Sequence, residues 1–272
     1  MKELTKSDLI LNNDGTIYHL GLHTDQIYPT IITVGDPSRV KEVSKYFDSI
    51  DYTSDNREFR AVGGRIGNNQ IMVLSTGIGT DNIDIVLNEI SLLINFNLTT
   101  RTPLTEQKSV RLIRLGTSGS INPSIPMDTL VYSKNAISLD NLFTYYDHKF
   151  DWVKFNDMKL PVIPCSASLE KLFQSYKSSL TLTACGFYGP QFRSSQLSQK
   201  YRLSDFETIS FNGNTPGNIE METAGIYGLS KLLKFEAISI NAILADRKTG
   251  NFSKKPQLMI KKMIEESLEI LC

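Results

Sequence analysis

The chain is predicted to be an α/β protein with a mostly buried sheet, on three observations. Strand-like and helix-like segments alternate along it. The strand candidates are near-continuous β-branched runs, such as Ile31–Val34 and Ala237–Leu244. Several of them end at glycine. Runs without in/out alternation belong to sheets covered on both faces, which alternating helices supply. With 272 residues and 40% hydrophobic content, the chain can build one large core. No Pro/Gly/Ser linker divides it, so residues 1–272 are expected to form a single domain.

Each element has a local reason. Ile31-Ile32-Thr33-Val34 reads as a buried strand entering a turn at Gly35. Asp36 suits an N-cap and Pro37 the first helical position, so a helix is expected to about Phe47. Its free N–H groups beside Arg39 would make an anion site. Phe59–Ile66 and Gln70–Ser75 read as a strand pair turned at Gly67-Asn68-Asn69. Asp81–Phe96 places Ile83, Val86, Leu87, Ile90 and Leu93-Ile94 on one helical face. Arg111–Leu115 is read as a short strand ending in Gly116, and Asp128–Ala136 as another. Ser168–Ser178 is expected to be helical and Leu180–Ala184 a strand. Thr223–Lys234 is read as a helix, Ala237–Leu244 as a strand and Pro256–Leu271 as a helix. The polar stretch Asn97–Ser109 is expected to be an exposed loop, and Arg247–Lys255 a surface loop or flap.

Composition excludes some partners. The formal net charge is +0, which fits neither a nucleic-acid nor an anionic-membrane partner. No apolar stretch is long enough to span a bilayer, and the first eight residues lack an apolar signal region. Cys165, Cys185 and Cys272 are far apart and lack metal spacing, so they read as reduced thiols of a cytoplasmic protein, with core packing as their role. No metal site or nucleophile–His–acid triad is recognisable.

Five further segments carry chemistry, each with a plainer alternative. Ser75-Thr76-Gly77-Ile78-Gly79-Thr80-Asp81-Asn82 is Gly-rich but fits neither a P-loop nor a dinucleotide fingerprint, so a tight strand-to-helix turn suffices for it. Arg114 and Thr117 flank a Gly turn and can face one anion alongside Arg39 at the carboxyl ends of strands. An ordinary strand exit is the alternative. In Phe187-Tyr188-Gly189-Pro190-Gln191-Phe192-Arg193, extended chain would put Gln191 and Arg193 on one face, suited to a planar amide heterocycle with Phe187 stacked on it. Glu222, in Glu220-Met221-Glu222, is suited to a ribose diol, or is a plain complement to a helix N-terminus. Asp246-Arg247 offers a strand-end general acid or a structural ion pair. Of the three histidines, His19 lies among apolar residues in Tyr18-His19-Leu20-Gly21-Leu22 and on its own reads as packed or solvated.

In this order and spacing the chain resembles the nucleoside phosphorylases of the uridine phosphorylase and bacterial purine nucleoside phosphorylase family. The markers are Tyr18–Leu22, Gly35-Asp36-Pro37-Ser38-Arg39, Arg57-Glu58-Phe59, Ser75–Gly79, Arg114–Gly119 and Glu220-Met221-Glu222. The resemblance runs from about Tyr18 to the C-terminus. It implies one α/β domain with a mixed, distorted barrel-like sheet flanked by helices, assembled as a homodimer or a hexameric trimer of dimers. It further implies phosphate binding by Gly35, Arg39, Arg114 and Thr117, with Arg57 from the neighbouring subunit. Glu222 and Met221 would hold the ribose, with His19 again from the neighbour. Ser118, Gly119, Phe187, Gln191 and Arg193 would hold the base.

The pair Gln191/Arg193 matches the uracil-binding Gln-x-Arg of the uridine phosphorylases. Asp246 stands instead close to the Asp with which the purine enzymes protonate the leaving base. Ser118 replaces a usual Thr, Gly189-Pro190 replaces Pro-Gly, Asn97–Ser109 is an insertion, and Asn82 replaces a usual Ser ligand of a monovalent cation at Glu58. The expected activity is reversible phosphorolysis of a pyrimidine nucleoside, uridine first. Arg193, Gln191, Arg114 and Asp246 are the candidate catalytic groups, phosphate is co-substrate, and no cofactor or metal takes part. The rivals are a purine nucleoside phosphorylase with Asp246 as acid, a nucleosidase using water, and a non-catalytic nucleoside-binding protein.

Overall fold

The computed structural model describes residues 3–272. In chain order its elements are β1 (Thr30–Val34), α1 (Pro37–Ser44), β2 (Ser49–Asn56), β3 (Phe59–Ile66), β4 (Asn69–Ser75), α2 (Thr80–Asn95), β5 (Phe96–Asn97), β6 (Thr102–Pro103), β7 (Arg111–Ser120), β8 (Leu130–Ser138), β9 (Asp151–Phe155), β10 (Met158–Pro164), α3 (Ala167–Phe173), β11 (Lys177–Thr183), β12 (Asn218–Glu220), α4 (Thr223–Leu233), β13 (Glu236–Asp246), β14 (Asn251–Phe252) and α5 (Pro256–Leu271). Among the described residues, twelve strands form one mixed sheet, and β5 and β6 pair separately. The strands β13, β8, β11, β12 and β7 follow one another in that order, and β13 also pairs with β7, so these five close into a barrel. On the other side of β7 the sheet continues through β1, β4, β3 and β2. The predicted mixed, barrel-like sheet is therefore present.

β1, which pairs in parallel with β4 and β7, is buried throughout, as its apolar run requires. Helix α2 buries Ile83, Val86, Leu87, Ile90, Leu93 and Ile94, the face its periodicity indicated. At α1, Pro37 takes the first helical turn and the Asp36 carboxylate accepts from the Ser38 N–H at 2.8 Å.

Several boundaries differ from the sequence reading. Strand β7 does not end at Gly116 but runs to Ser120. Its pairing with β13, which shifts register between Ile243 and Ala245 and extends to Asp246, carries Gly116 and Gly119 as strand residues. The helix expected over Ser168–Ser178 stops at Phe173, and Lys177 and Ser178 already belong to β11, since pairing with β8 overrides the local helical pattern. The expected strand over Asp128–Ala136 runs instead from Leu130 to Ser138, and α1 stops at Ser44, short of Phe47. Asn97–Ser109 contains the short β6 strand, and the Arg247–Lys255 loop is a hairpin in which β14 pairs back onto β13. Strands β2, β9, β10 and β12 were not anticipated. β2 is polar and exposed at the sheet edge, so it carries no burial signal. Of the cysteines only Cys165 is buried; Cys185 and Cys272 are exposed and pack no core. No helix of the described residues is long and apolar enough to cross a membrane.

Candidate active site

A cavity of about 930 Å³ opens where β1, β4 and β13 end and β12 meets α4. Open α/β sheets place ligands at such strand ends. Eleven of the residues singled out from sequence line it: Gly35, Arg39, Arg114, Thr117, Ser118, Gly119, Phe187, Gln191, Arg193, Met221 and Glu222.

One end of the cavity is basic. Arg39 reaches across from α1 to donate to the Leu115 carbonyl at 3.2 Å. Desolvation, and then the charge of Arg114, lower the pKa of its guanidinium, so an anion there would relieve like-charge repulsion. The expectation of free N–H groups at the start of α1 needs correction. The Ser38 N–H is taken by the Asp36 side chain and the Arg39 N–H by the Asp36 carbonyl. The side chains of Arg39 and Arg114 are what make this end attractive to an anion.

Arg114 is buried within a group of carboxylates. Its Nη2 donates to Glu222 Oε2 at 2.5 Å and forms an ion pair with Glu220 Oε2 at 3.0 Å, and its Nη1 donates to Asn241 Oδ1 at 2.9 Å. Glu222 also accepts from the Gly79 N–H at 2.8 Å, at the start of α2. The three charges sum to −1. Burial would lower the pKa of Arg114, but Glu220 and Glu222 outweigh it and hold the guanidinium charged. Burial, despite Arg114, raises the carboxyl of Glu222, and the like charge of Glu220 adds to the rise. Gly116 is required here: a Cβ at that position would collide with the folded-back Arg114 guanidinium.

Glu220 was passed over in the sequence reading. Its carboxylate accepts from Thr183 Oγ1 at 2.6 Å and from the N–H groups of Glu222 and Thr223. It thus fixes Arg114, the start of α4 and Glu222 together. The alternation of Asn218, Glu220 and Glu222 was its available signal.

At the opposite end, Gly189–Gln191 is a 3-10 turn and Phe192 is left-handed at φ 59°. The segment is therefore not extended, as the shared-face argument assumed, yet Gln191 and Arg193 both reach the cavity. Arg193 lies over the Phe187 ring, 3.9 Å from its centroid. Desolvation lowers its pKa, and its buried Nε has no partner among the described residues. Arg247 donates to the Gln191 carbonyl at 3.0 Å. Burial, then the neighbouring Arg193, push its pKa down to about 10.

Three named residues lie off the cavity lining. Asp246 does not form the considered ion pair with Arg247, nor does it face the cavity. Its Oδ1 accepts from the N–H groups of Lys248 and Thr249. Desolvation works to raise its pKa, but those hydrogen bonds hold it below the usual carboxylate range. It closes the turn after β13. His19 Nδ1 lies 2.6 Å from Glu89 Oε1, and Arg57 sits over the Tyr18 ring at 5.1 Å. These two neighbouring residues are on the surface of the chain.

Comparison with known proteins shows the family to which this fold belongs. A model described as the phosphorylase superfamily matches residues 29–271. The DeoD-type purine nucleoside phosphorylase of Buchnera aphidicola is 27% identical over 256 residues, 92% of this chain and 97% of that one. The uridine phosphorylase of Thermococcus kodakarensis is 24% identical over 258 residues, 95% and 87% of the two chains. The Trypanosoma brucei nucleoside phosphorylase, solved as showing uridine phosphorylase activity, aligns with a TM-score of 0.84 at 27% identity, covering 96% of this chain and 99% of that chain. The chain belongs to the phosphorylase superfamily and is a pentosyltransferase of the nucleoside phosphorylase family.

Proposed function

We propose that the chain catalyses reversible phosphorolysis of a pyrimidine nucleoside, with uridine the first substrate to test. The supporting observation is the base end of the cavity, where Gln191 and Arg193 flank Phe187 opposite the Arg39/Arg114 end. Gln191 offers an acceptor and donors, and Arg193 only donors, which suits the imide edge of uracil with Phe187 against its ring. Phosphate sits against Gly35, Arg39, Arg114 and Thr117. Glu222 and Met221 take the ribose, and Ser118 and Gly119 border the base. The glycosidic bond lengthens toward an oxocarbenium-like sugar while negative charge gathers on the base. Arg193 and Gln191 stabilise that charge where it develops. Phosphate closes on C1′ to give ribose 1-phosphate and the free base. Phosphate is the co-substrate, and no other group is required.

The purine reading has support of its own, since a purine nucleoside phosphorylase is among the relatives. Its general acid would be Asp246, whose carboxylate is committed to two backbone N–H groups and whose lowered pKa suits a proton donor poorly. We place His19 and Arg57 in the active site of a neighbouring subunit of a homodimer or hexamer, and the enzyme in the cytoplasm. The test is base release from uridine, thymidine, inosine and adenosine, with and without phosphate. Phosphate-dependent release of uracil is the expected result. Purine release would reassign the base site, and release without phosphate would make the chain a nucleosidase.

A further inference from the structure

The interior of the barrel holds one continuous chain of hydrogen bonds. It starts on β7, where Arg114 Nη1 donates to Asn241 Oδ1 of β13 at 2.9 Å. Asn241 Nδ2 donates to Ser133 Oγ of β8 at 3.1 Å. The hydroxyls of Ser133 and Thr181 of β11 lie 2.6 Å apart. Thr181 Oγ1 donates to Asn218 Oδ1 of β12 at 2.8 Å, and Asn218 Nδ2 donates to Ser118 Oγ at 2.9 Å. The path visits the five strands in barrel order and returns to β7 one cavity-facing stretch beyond its start. Asn241, Ser133, Thr181 and Asn218 are each fully buried.

Its direction is set from one end. A guanidinium only donates, so Asn241 turns its oxygen to Arg114 and its nitrogen to Ser133. Asn218 Oδ1 receives two hydroxyls, Thr181 Oγ1 and Ser179 Oγ at 2.6 Å. Were this amide reversed, the Ser133 and Thr181 hydroxyls would have only each other to donate to, and one of the two buried hydrogens would have no acceptor, a costly state. Thr181 therefore donates to Asn218 and accepts from Ser133, and the Asn218 nitrogen faces Ser118. Every link runs the same way. Ser118 ends as an acceptor whose own hydrogen is taken by no described residue, and it lines the cavity.

We propose that Asn241, Ser133, Thr181 and Asn218 are positioning residues that make the Ser118 hydroxyl a fixed donor to the base, linked through the barrel interior to Arg114 at the phosphate end. The assignment rests on the nucleoside phosphorolysis reading. Hydrogen bonds in such a chain polarise one another, so the arginine charge at its head strengthens the donor at its tail. The acceptor gains charge as the glycosidic bond breaks, so this donor acts most strongly in the transition state.

The test is a double-mutant cycle on Ser118→Ala and Thr181→Val, read in kcat/KM for uridine and in the calorimetric Kd for uridine. Thr181→Val has similar volume and lacks the hydroxyl that both halves of the relay use. Each single variant is expected to lose about tenfold in kcat/KM, the scale of one net hydrogen bond. The double variant is expected to lose no more than the worse single one. Thr181→Ser is expected to return to within about twofold of the parent, which a packing role for the threonine methyl would not give. Losses that multiply in the double variant, or a Thr181→Val variant with unchanged kinetics, overturn the relay. If Thr181→Val does not fold, Ser133→Ala takes its place with the same expectations. Turnover of inosine in place of uridine overturns the pyrimidine assignment alone, and the same non-additivity is then expected with inosine. Failure to bind any nucleoside overturns both.

Discussion

Replacing Arg114 by methionine removes one charge from a buried group of three while roughly preserving side-chain length. Glu220 keeps three donors, Thr183 Oγ1 and the N–H groups of Glu222 and Thr223. Glu222 keeps only the Gly79 N–H. Both carboxylates lose the Arg114 guanidinium, their ion-pair partner at 2.5 and 3.0 Å. Breaking a buried ion pair from one side costs about 3–5 kcal/mol. For a chain of this size each kcal/mol shifts Tm by roughly 2–4 °C, so the variant should unfold about 6–20 °C lower near neutral pH. The loss should depend on pH. The carboxyl of Glu222 is already raised by burial, and without the guanidinium it rises further. A raised carboxyl binds its proton in the folded state at pH values where the unfolded chain has released it. Stability from this group is therefore whole below the ordinary glutamate range and is lost as pH climbs through the folded-state value. Differential scanning calorimetry of both proteins from pH 5 to 8 is the assay. The gap in Tm should be widest at pH 8 and narrow toward pH 5. A gap that does not change with pH, or no gap, would refute the description of Arg114 as the counterion of two buried carboxylates.

Three further outcomes follow from the site. Arg193→Ala should lower kcat/KM for uridine by about 10²–10³, the scale of one preorganised donor, with little change in Tm because the residue is only partly buried; unchanged uridine turnover would remove it from base recognition. Gly116→Ala should raise the phosphate KM at least about tenfold, since its Cβ would occupy the space of the Arg114 guanidinium; initial rates over a phosphate series check this. Asp246→Asn should leave uridine phosphorolysis within about threefold of the parent and cost about 1 kcal/mol of stability, because its role is to accept two turn N–H groups. Loss of activity in that variant with its Tm intact would return Asp246 to the chemistry.

The sequence shows most where one residue's chemistry is enough and least where partners meet across strands. Asp36-Pro37 announces the start of α1, and the apolar stripe of α2 announces its buried face, because capping and periodicity are local. The cavity-lining arginines, Gln191 and Glu222 are legible as charged or amide groups beside Gly turns. Strand β7 is different. Its extension to Ser120 depends on β13 lying alongside, which no local pattern in Arg114–Gly119 encodes, and so a strand was read as a turn. Gln191 and Arg193 reach the cavity from a 3-10 turn and a left-handed residue, where the sequence argued for extended chain, so the two residues share the cavity through a different backbone from the one the sequence indicated. The barrel interior has the faintest local signal. Ser239 and Asn241 alternate within the apolar run of β13, and Asn218 and Glu220 within β12. Burying amides and hydroxyls at such positions costs several kcal/mol each unless every one is paired, so they imply a partner set without naming it. Closure of the barrel supplies the partners. It brings Ser133, Thr181 and Asn218 within hydrogen-bonding distance from separate strands, and it lets a single donor-only side chain, Arg114, set the orientation of every amide and hydroxyl that follows.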